Sequence, residues 1–197
     1  MPRITGTRER RHQPIYDSLL RSTGAPTTTL NASTKLFGNA NVGNLALTNL
    51  QVAGQLASDQ TYIVMALRCY MYFVGIDSVA LFQQVASQLT FTFTLGDKPQ
   101  FVAPAWYLPA GGGIVGGGGD PDAASARAEL NNGWPSQDAI LKLARPIVIP
   151  VRQNISVDAQ FFTVGTTSAL TSINTADAAT QMSVIYMIDG IQTRDVQ

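Results

Sequence analysis

The side chains able to do chemistry are few. The chain holds one histidine, His12, and one cysteine, Cys69, in 197 residues. Nucleophilic triads need an imidazole held beside the nucleophile, and His12 sits in a basic tail, so Ser-His-Asp and Cys-His arrangements have no material in their usual form. Zinc and iron centres built from several His or Cys ligands fall to the same census. Cys69 lies inside the apolar run TYIVMALRCYMYFVG and reads as a small buried hydrophobe. A single cysteine closes no internal disulfide, so the fold is expected not to depend on oxidation.

Carboxylates offer little more. Asp120 and Asp122 could give calcium hard oxygen ligands together with carbonyls of the preceding glycine run. The further acidic positions of an EF-hand loop are missing, and Asp120-Pro121 reads better as the cap of a short helix over AASARAEL. A glycosidase pair drawn from Asp77 and Asp158 has nothing in its spacing to recommend it. Gly111 to Gly116 matches GxGxxG literally. A dinucleotide site also needs a buried strand before the glycines and a helix opening directly after them. Trp106-Tyr107-Leu108-Pro109 is a poor buried strand, and Gly116–Gly119 prolongs the loop. The expectation is a non-enzymatic protein with no cofactor and no metal.

Two groups of residues suit binding instead. Arg3, Arg8, Arg10 and Arg11 cluster near the start, and with Arg21 against Glu9 and Asp17 they give residues 1–21 a net charge of about +3. The whole chain is neutral, so the remainder carries about −3. Such a cluster could meet phosphates in a salt-sensitive, sequence-independent way, or serve as a partner-binding or solvated tail. The second group is Gly113, Ile114 and Val115 beside Trp106, Tyr107 and Trp134. Glycines let a loop take positive φ and pass close to another backbone, so this segment could reach a neighbouring subunit or remain a plain surface loop. The aromatic residues could equally form a carbohydrate platform or act as packing anchors.

The elements that must position these groups read as mostly β. Residues 1–35 form a basic flexible arm in which Ile15, Tyr16, Leu19 and Leu20 could make one amphipathic turn. A first strand is expected around Leu45–Val52, and a long one over Thr61–Gly75, whose near-continuous apolarity implies burial on both faces, or one face in the core and one in a subunit contact. A short helix over Val79–Ala86 follows, with Asp77 or Ser78 as its cap. Leu89–Leu95, LTFTFTL, alternates with period two and puts Leu89, Phe91, Phe93 and Leu95 on one face. Gly96–Pro99 turns the chain into a shorter strand at Gln100–Val102. A Gly-rich loop spans 109–135, and ILKLARPIVIPV, NISVDAQFFTV and MSVIYMIDGIQT supply three or four further strands. The sum is an all-β, antiparallel, jelly-roll-like β-sandwich over 36–197 with one or two short helices. An immunoglobulin-like sandwich is the other option, without its Cys–Trp–Cys spacing.

Composition points the same way. Charged residues make up 13% of the chain and hydrophobic ones 45%. That charge is low for a soluble domain, and a neutral surface desolvates more cheaply than a charged one, which suits packing between subunits. No apolar stretch approaches a membrane span, and no apolar signal segment follows the N-terminal arginines. A basic arm leading into a low-charge β body resembles the single jelly-roll coat proteins of viruses. The order LALTNLQV, YIVMALRCYMYFV, helix, QLTFTFTLGDKP and ILKLARPIVIPVRQNISVDAQFF is similar to that of phage virion structural proteins. The resemblance implies a capsid or capsid-associated homo-oligomer that assembles in the host cytoplasm, meets other virion proteins and contacts nucleic acid non-specifically through the arm. The alternative is a carbohydrate-binding or adhesion module.

Overall fold

The computed structural model describes residues 8–22, 33–38, 44–57, 59–76, 79–117, 128–133, 136, 138–162 and 181–195. It is an all-β sandwich of two antiparallel sheets with one α-helix among those residues. The larger sheet contains β1 (Arg8–His12), β2 (Ile15–Ser22), β4 (Gln60–Ile76), β7 (Val115–Gly117), β8 (Ala128–Asn131), β9 (Leu141–Ile149) and β11 (Gln181–Asp195). The smaller sheet contains β3 (Ser33–Leu36), β5 (Leu89–Leu95), β6 (Lys98–Pro104) and β10 (Ile155–Phe161) in the order β3-β10-β5-β6. Helix α1 (Val79–Gln88) crosses from β4 to β5.

At the centre of the larger sheet β4 and β11 pair along almost their whole lengths, from Gln60 opposite Arg194 to Val74 opposite Gln181. β11 takes β1 and β2 end to end on its other side, while β4 takes β9 and β8. The smaller sheet follows from strict alternation. Leu89, Phe91 and Phe93 are buried and the threonines between them face outward, and β10 answers with buried Ile155, Val157, Ala159 and Phe161. The inner faces meet at Tyr186, whose ring lies 4.9 Å from Phe91 and 6.5 Å edge-on from Phe37. Phe82 of α1 closes one end against Phe73 at 5.1 Å.

Four expectations need correction. Residues 8–22 are not a free arm but two strands of the larger sheet, so the folded unit begins well before Leu36. The amphipathic turn read over Ile15–Leu20 is strand β2: Ile15, Asp17 and Leu19 alternate inward and all three are buried. Ile15 and Leu19 are four apart, which fits a helix face and a strand face equally, and the polar Asp17 between them disguised the alternation. That carboxylate accepts from the Ser18 amide at 2.9 Å and from the Phe37 amide, and so fixes the crossing from β2 into the smaller sheet, where Phe37 takes a φ of 62°. Secondly, Leu45–Val52 is loop, not strand. Asn49 holds it against β2 by accepting from the Tyr16 amide at 3.0 Å and donating to the Pro14 carbonyl at 2.6 Å, and buried Leu50 anchors it. Thirdly, the Gly-rich stretch contributes β7 and β8, and Ala128–Leu130 is strand rather than the end of a helix. Finally, the strand after the Gly96 turn is longer than Gln100–Val102, running over Lys98–Pro104.

One glycine is indispensable to the central pair. The register of β11 on β4 shifts between Asp189 and Gly190, and a Cβ on Gly190 would stand 1.9 Å from the Ile63 carbonyl oxygen. Backbone cannot yield there without parting the two longest strands. Gly190→Ala is therefore expected to destabilise the fold by about 4 kcal/mol or more, read from its urea midpoint. Gly112→Ala, where a Cβ meets nothing within 4 Å, serves as the near-neutral control.

The core also sets a pH limit. Burial pushes the Cys69 thiol and the Tyr186 and Tyr62 hydroxyls well above their ordinary ranges, and Asp189 raises Tyr62 further. Each group stays neutral in the fold but ionises at its ordinary value once unfolded, 9.0 for the thiol and 10.0 for tyrosine. Their stabilising contribution is complete below those values and is lost as pH rises toward the raised folded ones. Unfolding midpoints measured from pH 7 to pH 11 should fall once pH passes the ordinary thiol value. In Cys69→Ala the fall should begin about one pH unit later.

Candidate interaction surfaces

The corner that follows β6 carries the aromatic group singled out in the sequence. Ala105–Tyr107 is a single 3-10 turn. Residues three apart share one side of such a turn. Ala105 and Leu108 therefore both point inward and are buried, while Trp106 and Tyr107 stand out at 61% and 47% exposure. The Cys69 amide donates to the Leu108 carbonyl at 2.7 Å and pins the corner to β4. Asn132 secures the chain from the other side, donating to the Cys69 carbonyl at 2.6 Å and accepting from the Met71 amide at 3.0 Å. Between these ties the glycine run passes close to Gly133, whose missing Cβ would lie 2.7 Å from the Gly113 carbonyl oxygen.

A cleft of about 390 Å³ opens here, lined by Met71, Phe82, Ala86, Trp106, Gly113 and Ile114 among others. The structure thus brings Trp106, Gly113 and Ile114 together, with Tyr107 and the exposed Val115 beside them in the chain. Trp134 lies outside the described residues. The Trp106 and Tyr107 rings meet edge to face, 5.7 Å apart and inclined by 85°, so they do not make one flat platform.

A second apolar area is the outer face of the seven-stranded sheet. Along β4, buried Tyr62, Val64, Leu67, Cys69, Met71 and Phe73 face the core, and the residues between them face out, apart from buried Ala66 at the register shift. These outward residues include Ile63, Met65, Tyr70 and Tyr72. Tyr70 stands opposite Ile185, which in turn faces Ser18 of β2, while Tyr72 opposes Ser183, which faces Leu20. Leu20 is 52% exposed and Met65 44%. Near this face Arg68 and Asp189 form an ion pair with side chains only 17% and 8% exposed. The opposite sheet presents Thr90, Thr92, Thr94, Ser156, Asp158 and Gln160.

The arginine cluster is divided. Arg3 lies outside the described residues. Arg8 and Arg10 occupy the exposed side of β1, whereas Arg11 turns to the other side and pairs with Glu9 at 3.0 Å. Arg194 completes the group, donating to Glu9 at 2.7 Å. The two guanidinium groups hold the Glu9 carboxyl below its ordinary range, Arg11 the more strongly.

The remaining chemical groups stay apart. The glycine run leads into strand β7, not into a helix. Asp158 lies on the outer face of the small sheet, 3.4 Å from the Ser33 hydroxyl, while Asp77, Asp120 and Asp122 lie outside the described residues. Among the described residues no three His, Cys, Asp or Glu side chains gather as metal ligands, and no helix is long and apolar enough to cross a membrane. One feature escaped the sequence reading: a recess at the end of the sandwich remote from Trp106, where Gln192 meets Gln60 from 132 positions away. No linear motif joins residues so distant. No known protein-family model matches the chain, and a comparison with curated proteins likewise finds no match.

Proposed function

We propose that this chain is a non-enzymatic structural subunit that self-associates into a closed particle, as a capsid or capsid-associated protein of a virus, with a bacteriophage virion as its place of action. The observation that carries this reading is the outer face of the large sheet. Tyr70, Tyr72, Ile185 and Leu20 form a neutral, aromatic-rich patch on paired strands, with exposed Met65 beyond it beside the Arg68–Asp189 pair, which is the composition of an interface core with a polar rim. Fully covering one such side chain is worth about 1.5–3 kcal/mol, so a few of them suffice for association once a patch of ordinary interface size is buried.

The strand order supports a jelly roll within the β-sandwich class. Taken by pairing, β2-β11-β4-β9 stand in one sheet and β3-β10-β5-β6 in the other. Successive strands cross between the sheets, apart from the β5–β6 hairpin, as in an eight-stranded double Greek key. The Trp106 corner and Ile114 would provide a second contact to a neighbouring subunit, and Arg8 and Arg10 on the exposed side of β1 a non-specific contact to nucleic acid.

Sedimentation and negative-stain imaging of the full chain over a range of concentrations test this reading. Rings or shells are expected. The double variant Leu20→Asp, Ile185→Asp should weaken association at least about 100-fold, or ~2.8 kcal/mol, with an unchanged circular dichroism spectrum. A monomer at every concentration and salt, or assembly untouched by the double variant, would overturn it.

A further inference from the structure

We infer that the recess at the start of β4 is a binding site for an acidic saccharide, one sugar ring carrying a carboxylate. The inference is independent of the assembly reading, because it uses different residues at the opposite end of the sandwich.

The recess has a volume of about 180 Å³. At about 30 Å³ per water this is room for roughly six waters, or one pyranose ring with its hydroxyls. It is lined by side chains from three strands and a loop: Arg11 of β1, Gln60 of β4, Gln192 and Arg194 of β11, and Gln55 and Leu56 of the segment before β4. Carboxamides dominate, and they are held in place. The Gln192 amide nitrogen donates to the Gln60 amide oxygen at 2.6 Å, and the Gln55 amide nitrogen to the Asn154 amide oxygen at 2.6 Å. An amide pair joined by one hydrogen bond retains one donor edge and one acceptor edge, whichever way round the two amides are set. Side by side, these edges match two neighbouring hydroxyls, one accepting and the other donating. Tyr62 fixes the floor, its hydroxyl directed to the Gln13 and Ile188 carbonyls at 2.6 and 2.9 Å. Buried Leu56 gives an apolar wall for the C–H face of a ring.

Charge narrows the class. Glu9 bridges Arg11 and Arg194, so two guanidinium groups share one carboxylate and the cluster carries one net positive charge. The bridge uses one nitrogen of each guanidinium, Nη2 of Arg11 and Nε of Arg194. The other nitrogens can hold a second carboxylate. A nucleotide base is disfavoured because bases are gripped by stacking. The aromatic ring lining the recess, Tyr62, is fully buried edge and face.

The test uses the full chain titrated calorimetrically with glucuronate, glucose, acetate and inorganic phosphate, followed by an array of acidic and neutral glycans. Glucuronate and uronate-bearing glycans should bind at least tenfold more tightly than the other three probes. Gln60→Ala, Gln192→Ala and Arg194→Ala should each lose at least tenfold, and Trp106→Ala should bind as the parent does. Arg194→Lys, which keeps the charge but not the fork, covers the case in which the alanine variant does not fold, and should lose at least threefold. Acetate or phosphate binding as tightly as glucuronate would reduce the recess to a plain anion site and overturn the proposal. Equal binding of glucose would overturn the acidic assignment. No binding of any sugar, or binding indifferent to Gln60 and Gln192, would overturn the site itself.

Discussion

The pairing of β4 with β11 is the constraint on which the rest of this structure depends. Among the described residues β1 and β2 pair in the large sheet only with β11 and β9 only with β4, while β8, with β7 on its far side, joins the sheet through β4. The core faces of the two strands bury Tyr62, Leu67, Phe73, Val184, Tyr186 and Ile188 against the small sheet. Their shared irregularity is equally consequential. At Gly190 the backbones approach too closely for any side chain, and the register shift places Asp189 beside Arg68. Removing one partner of that buried pair would strand a charge, which costs several kcal/mol. The bulge is thus locked by a glycine on one side and by an ion pair on the other.

Much of the fold was legible because its signal is local. LTFTFTL carries its own alternation, and TYIVMALRCYMYFVG has the β-branched and aromatic density of a strand, so β5 and β4 could be read without knowing their neighbours. β2 was not legible, since a strand with a buried aspartate at its centre breaks the pattern on which the reading relies. The reason Asp17 is tolerated inside lies twenty residues away, in the Phe37 amide. The Leu45–Val52 segment failed for the opposite reason. Its leucines are spaced like a strand, but Leu50 is buried by packing and Leu45 is exposed, while the segment's hydrogen bonds to β2 run mostly through side chains, with one backbone bond from the Asn49 amide to the Tyr16 carbonyl, and form no ladder.

The same distinction holds at the surfaces. Trp106, Tyr107, Gly113 and Ile114 could be grouped from sequence because fewer than ten residues separate them, and the fold keeps them together through Leu108 and Asn132. The arginines could also be found, yet their division could not. Only the strand geometry of β1 reveals that Arg10 and Arg11 face opposite ways, and only the return of β11 brings Arg194 to Glu9. The amide recess lay beyond local reading altogether, being assembled from both ends of the chain.

The two outer faces of the sandwich differ, and the difference gives the molecule a direction. One carries tyrosines, isoleucine and methionine around the Arg68–Asp189 ion pair, with Arg10, His12 and Lys142 on its outer strands, the other threonine, serine and glutamine with Asp158 opposite Lys35. Hydroxyl and amide groups remain hydrated at little cost, whereas an exposed apolar sheet gains free energy each time part of it is covered. In the proposed assembly a subunit built this way would pack through one face and leave the other to water, so that copies related by symmetry share the same inside and outside. A low overall charge suits such packing. Unpaired charge on a face to be covered is costly, and on the large sheet the charges at the bulge and around Glu9 are paired, while Arg10 and Lys142 stand exposed on the outer strands β1 and β9.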